Sequence, residues 1–280
     1  MATKVLGLKT FAASDPVDYN EINDNYNKID NGVKTAFKGR AAHNLLDNSW
    51  FVNPVNQRGK TSYSASGYTI DRWYFYNPNG DGTVAINNGY ISLAGGSGAV
   101  SLACRFPKGF LDANKKYTSM ICDNLGNINP TSLIFYDSFD SFEVSAGAGE
   151  TKNIVWAALY EGSYDANTLP AYQPKGYAAE LAECQRYYRK MSYPVIPCGN
   201  NPAGTQVYGF MPFGMRIANP TVSCNSLHFY KGDSTFCPVS SASATSYGAG
   251  TRIVFSLSQS VEGNLAGAVA GNGITISADL

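Results

Sequence analysis

Charge is what this 280-residue chain has least of. Only 15% of its residues are Asp, Glu, Lys or Arg, against about 25% in an average globular protein. The 21 basic and 21 acidic residues cancel, and no run of Lys or Arg stands out. Nucleic-acid binding depends on a positive field that displaces counterions from phosphate, so no nucleic acid is expected as a partner. The same balance argues against docking on an anionic membrane. Long apolar runs are missing too. Val5–Leu8 is closed by Lys9, and the small-residue stretch Ala266–Ala270 is broken by glycine. Neither approaches the roughly 20 residues of a membrane helix. No membrane insertion and no signal peptide are therefore expected, which points to assembly in a cytosol.

Histidine is scarce, with only His43 and His228, and no Cys-x-x-Cys occurs. A Cys/His zinc site has little to build on. The six widely spaced cysteines read as reduced, mostly buried thiols, with one or two bridges left open as the alternative. What is abundant is Gly (28), Tyr (19) and Phe (14), together with Ser, Thr and Asn. That mix suits strands joined by tight turns and is a poor recipe for a helical bundle.

The clearest periodicity lies in residues 15–38. Ile22, Tyr26, Ile29, Val33 and Phe37 recur at steps of four, three, four and four, close to a heptad seam. Ser14 or Asp15 can cap the start, Pro16 suits the first turn, and Gly39 offers a stop. A stripe this narrow on an otherwise polar helix is best buried against copies of itself, so these five residues are the expected oligomerisation seam. Packing onto the chain's own downstream domain is the other way to bury it.

From Asn44 to about Tyr172 the pattern turns to period two. Val100, Leu102, Cys104 and Phe106 share one strand face, and weaker alternation marks Gly67–Tyr76, Thr83–Leu93, Tyr117–Asp123, Phe142–Ala146 and Asn153–Tyr160. Asn79-Gly80-Asp81-Gly82 reads as a hairpin turn. One short amphipathic helix is expected within residues 176–191, where Tyr177, Leu181, Cys184, Tyr188 and Met191 keep helical steps. Strands return at Thr205–Phe213, Thr221–Tyr230, Thr251–Ser258 and Gly273–Ala278, while the small-residue runs 240–250 and 262–273 read as exposed loops. The fold class is mainly β: β-sandwich, jelly-roll-like domains with an N-terminal oligomerising helix. The divisions are 1–40 (attachment segment and helix), 41–173 (sandwich) and 174–280 (a C-terminal β domain with one short helix).

No catalytic set emerges. Gly95-Gly96-Ser97-Gly98 has the wrong glycine spacing for a nucleophile elbow and lies in a turn. Asp137, Asp140 and Glu143 read as a solvated loop and strand edge rather than a carboxylate pair. His228 alternates with Cys224, Ser226 and Tyr230 and reads as a structural histidine. The Asn77-x-Asn79-x-Asp81 start of a calcium loop lacks its terminal Glu, since Asn88 stands there. Asp71 and Arg72 read as an ion pair or turn brace, with Trp73 in the core. No metal and no cofactor are expected, and the chain is not expected to be an enzyme. Binding remains. Tyr208, Tyr230 and Tyr247 are the candidate ligand contacts, and loops 197–205 and 240–250 the candidate regions.

Three stretches resemble segments of phage tail-fibre and receptor-binding appendage proteins. The first is VLGLKTF followed by DPVDYNEINDNYNKIDNGV; it resembles an N-terminal attachment segment. The second is HNLLDNSWFVNPVNQRG followed by GYTIDRWYF; it is similar to the start of carbohydrate-binding-like jelly rolls in such fibres. The third is ELAECQRYYRK followed by FMPFGMRIANPTVS. The resemblance implies a homotrimeric virion protein. Its N-terminus would join tail, baseplate or head proteins, and its β domains would meet a host cell-surface glycan or protein. A head fibre or decoration protein without host recognition is the alternative, and a glycan-degrading tailspike is a further one.

Overall fold

The sequence alternation is realised as antiparallel strands almost throughout, in a computed structural model that describes residues 18–38, 43–165, 168–200, 204–216, 219–231, 236–247, 250–261 and 266–279. In chain order the elements are α1 Tyr19–Lys38, β1 Ser62–Tyr63, β2 Gly67–Tyr68, β3 Trp73–Tyr76, β4 Thr83–Asn87, β5 Tyr90–Ala94, β6 Val100–Pro107, β7 Tyr117–Asp123, β8 Ile128–Pro130, β9 Ser132–Phe135, β10 Phe139–Ala146 and β11 Thr151–Glu161. There follow α2 Tyr177–Cys184, β12 Tyr188–Ser192, β13 Val195–Asn200, β14 Gln206–Met211, β15 Thr221–Lys231, β16 Phe236–Tyr247, β17 Gly250–Leu257 and β18 Ala266–Ser277.

Helix α1 carries the expected periodicity. Asp18 caps it: its Oδ1 accepts from the Asn20 amide at 2.8 Å and its carbonyl from the Ile22 amide at 3.1 Å. The earlier cap positions Ser14 and Asp15, Pro16, the VLGLKTF stretch and Gly39 lie outside the described residues, as do the side chains of Val33 and Phe37. Ile22 is half-buried, whereas Tyr26 is 66% and Ile29 40% exposed.

Two sheets, in the orders β1-β4-β5-β11-β7-β8 and β2-β3-β6-β10-β9, enclose one core. Val100, Leu102, Cys104 and Phe106 of β6 all point into it, as their alternation predicts. Trp73 sits at its centre, edge-on to Phe51 at 5.0 Å and to Phe142 at 5.9 Å. Residues 45–51 run beside β11, with Leu45 bonded to Leu159, Phe51 to Val155 and Ala157 to Ser49. The Asn79–Gly82 turn is not a hairpin: β3 and β4 lie in different sheets, so it crosses between them. The tight hairpin instead joins β4 to β5 through Asn88-Gly89, where Gly89 takes a φ of +94° that suits glycine.

The C-terminal strands close a barrel. The order β13-β14-β17-β16-β15-β18 returns on itself because β18 pairs with both β15 and β13. Its interior holds Ile196, Val207, Leu227, Phe229, Ile253, Phe255 and Val269. Three expectations are corrected here. The helix ends at Cys184 rather than continuing to Met191. Three-residue bonds from Arg186 to Glu183 and from Tyr187 to Cys184 tighten and end it, and Tyr188–Ser192 then pairs with β18. Residues 240–247 are strand β16 and 266–273 belong to β18, not to exposed loops. Small side chains are what this wall requires. A Cβ on Gly267 would meet the Tyr230 carbonyl oxygen at 2.4 Å and the Phe229 ring at 2.5 Å, so only glycine lets β18 lie this close to β15. All six cysteines are free thiols. Burial pushes Cys104 and Cys198 up to about 11, which leaves them unreactive at neutral pH.

Replacing Gly267 with alanine is expected to destabilise the protein by about 1–3 kcal/mol through overpacking. A urea midpoint unchanged from the parent chain would show that β18 does not depend on this close approach.

Candidate functional site

The densest polar constellation lies where the sandwich meets the barrel, and the resembling motifs build it. Asn48, in a left-handed conformation (φ +52°), is its hub. Its side chain accepts from the Val55 amide at 2.7 Å and donates to the carbonyls of Val55 (2.8 Å) and Asp71 (2.7 Å). Its own carbonyl accepts from the Trp73 indole at 2.8 Å, and its amide donates to Glu180 of α2. Asp71, fully buried, accepts from the Gln57 side chain at 2.9 Å and from Arg58 at 2.8 Å. Arg58 also bonds Asp279 just beyond β18, and its guanidinium lies 3.8 Å over the Tyr188 ring. Arg72 (φ +74°) is buried; it bonds Asp47 at 3.2 Å and the Arg105 carbonyl at 2.8 Å, with the Tyr187 ring 3.4 Å beneath it.

The neighbours Asp71 and Arg72 therefore do not pair with each other. Asp71 takes its bonds from Gln57 and Arg58 in the segment before β1, and Arg72 bonds Asp47 and the Arg105 carbonyl of β6. The cost of burying Asp71 shows in its acidity. Desolvation pushes Asp71 up to about 6, outweighing its bonds from Gln57 and Arg58. Desolvation also raises Glu180 and Asp279. The constellation ties the sandwich, α2 and the barrel together through side-chain bonds.

An open cleft lies elsewhere. About 630 Å³ in volume, it lies between the β7–β8 hairpin and the start of β11. Asn124, Asn129, Thr131, Thr151, Lys152 and Asn153 line it, with Leu125, 81% exposed, at its edge. Its two carboxylates are occupied. Asp123 accepts from the Asn127 side chain (2.9 Å) and from the Leu125 and Asn127 amides; these bonds hold it below the usual carboxylate range. Glu150 accepts from the Gly147 amide at 2.7 Å and is lowered by that bond. Both carboxylates brace the turns in which they sit. Amides, hydroxyls and one ammonium are what this cleft offers, a set suited to hydrogen-bonding polyhydroxylated ligands.

Of the three tyrosines singled out in the sequence, Tyr208 and Tyr230 do not converge. Tyr208 lies on the outer face of β14, its hydroxyl donating to Gln206 at 3.3 Å. Tyr230 lies on β15, separated from β14 by two strands either way around the barrel. It joins His228 and Phe236 in an aromatic group: His228 stacks on Phe236 at 4.1 Å, and Tyr230 sits 5.6 Å from the same ring. Tyr247 is at the far end of β16, and its side chain lies outside the described residues, as do 201–203 and 248–249 of the candidate loops. Asp140, expected in solvent, is buried and pairs with Lys108 at 3.3 Å. Among the described residues no helix is long and apolar enough to cross a membrane, and no group of three or more His, Cys, Asp or Glu is placed to hold a metal ion.

Comparisons with family models, with curated proteins and with solved structures find no match to this chain.

Replacing Arg58 with alanine strands two buried carboxylates and is expected to cost about 3–5 kcal/mol in urea unfolding; a loss under about 1 kcal/mol would show the junction to be dispensable. Asp71 has a second consequence. Its acidity constant in the folded chain lies above the ordinary 3.8, so its contribution to stability is full below about pH 4 and is lost as pH rises through about 6. The Asp71→Asn variant should therefore lose less stability between pH 4 and 7 than the parent. Parallel stability-versus-pH curves for the two proteins would refute this assignment.

Proposed function

We propose that this chain is a non-enzymatic attachment protein of the phage tail-fibre or receptor-binding class: a homotrimer fixed to the virion by its N-terminus that presents β domains to a host surface glycan. The observation that carries this reading is α1, whose apolar positions Tyr26 and Ile29 remain exposed in the single chain. Burying one large apolar side chain contributes roughly 1.5–3 kcal/mol, so a seam left open in one copy is a strong incentive to associate with others. The amide- and hydroxyl-lined cleft on the sandwich supports a glycan as the ligand class. A jelly-roll reading of the sandwich is supported by sequence-distant strands lying side by side, β5 beside β11 and β6 beside β10. The resemblance of the three sequence stretches to fibre proteins points the same way.

Native mass measurement of the full chain tests this. A trimer is expected, and Ile29→Asp should reduce it to monomers while circular dichroism of the β domains stays unchanged. A monomeric parent, or a variant that is still trimeric, would refute the seam. Binding of the full chain to host cells, absent for an unrelated β protein, tests the attachment role.

A further inference from the structure

A second groove, of about 340 Å³, opens on the barrel where β12 gives way to β13. The two strands run along the same edge of β18 in one register: Tyr188 faces Ser277, Ser192 faces Gly273, Val195 faces Ala270 and Gly199 faces Ala266. Between them the backbone breaks. Tyr193 takes a φ of +53°, which non-glycine residues rarely adopt, and Pro194 has no amide to give the ladder. This break parts the wall from the end of β14. The groove so formed is floored by Met191 and Pro194, with Phe210 and Val195, 61% and 71% exposed, on its rim.

Into this apolar groove projects one charged group. Arg189 stacks on Phe213, its guanidinium carbon 3.8 Å from the ring centroid. Its Nε is buried and has no hydrogen-bond partner among the described residues, and no carboxylate there forms an ion pair with it. Burial, with no opposing charge, holds it below the ordinary guanidinium value. By contrast, Arg58 has Asp71 and Asp279, and Arg72 has Asp47. A half-desolvated guanidinium without a paired acid is a preformed donor site for a carboxylate, to which it can donate two parallel bonds.

We infer that the Arg189 groove binds a carboxylate-bearing sugar residue, the carboxylate on the guanidinium and a CH face of the ring against Phe210 and Val195. The volume sits at the low end for small-ligand pockets, which suits a sugar unit better than an extended peptide. This deepens the attachment reading and takes from it the glycan as the source of the acid.

The test uses the full chain, with methyl β-glucuronide and a methyl sialoside as acidic probes, methyl β-glucoside as the neutral one and the methyl ester of the glucuronide as the uncharged isostere. Titration followed by NMR should show saturable binding of at least one acid, and at least tenfold weaker binding of the ester and the neutral sugar. Arg189→Gln should weaken acid binding at least tenfold. Phe210→Ala, on an exposed side chain whose loss leaves the core intact, should weaken it several-fold. No saturable binding of either acid, equal binding of acid and ester, or an unaffected Arg189→Gln variant would overturn the inference. So would binding of hippurate, an aromatic carboxylate, without binding of any acidic sugar. Host-cell binding retained by Arg189→Gln would leave the attachment reading standing while this groove falls. Acid binding by a chain that neither trimerises nor binds cells would do the reverse.

Discussion

The Arg58 guanidinium sits between two buried carboxylates, Asp71 from the sandwich and Asp279 from the strand end that closes the barrel. Removing ions from water costs several kcal/mol each, and the bonds to Arg58 offset part of that cost. Here the pairing is supplied by residues more than 200 positions apart in sequence. The two β units are thereby fixed to each other by a geometry that has few alternatives: a guanidinium with a wrong partner would leave a charge stranded in the interior. The bonds of Asn48 to Glu180 and of Gln57 to the Tyr188 carbonyl repeat the logic with amides. A slippery apolar contact between the units would permit many orientations; this polar one specifies few.

The junction leaves outer faces of both units open. The sandwich keeps an open cleft of amides and hydroxyls beside the β7–β8 hairpin, and the barrel keeps an exposed aromatic group around His228 and Phe236 as well as the Arg189 groove. Asn48 and Arg72 take left-handed backbones at the joint, where surrounding bonds over-determine them.

Much of the sandwich was legible in advance because its signals are local. The alternation Val100, Leu102, Cys104, Phe106 places β6 without reference to anything else, and the β7 limits Tyr117–Asp123 follow from the same period. The heptad spacing marks α1 in the same way. The barrel was harder. Residues 240–247 and 266–273 are rich in Ser, Ala and Gly, which resembles loop composition, yet they form wall strands because closure brings backbones too close for larger side chains. Helical spacing ran on through Tyr188 and Met191, but Tyr187 is drawn off to cover Arg72 and its neighbour pairs with β18, contacts no local pattern encodes. The Asp71–Arg72 pair looked self-contained, and each member proved to serve a distant partner.

The amino-acid sequence by itself determined the β class, the amphipathic helix with Ile22, Tyr26 and Ile29 on one side, and the absence of a strong charge field, since periodicity and composition act over a few residues at a time. Only the tertiary structure decided which charges meet, that the last strands close into a barrel, and that Arg189 lies in an apolar groove with no acid paired to it among the described residues. Those outcomes depend on pairings between remote segments, whose energies exist only once the chain has brought them within a few ångströms.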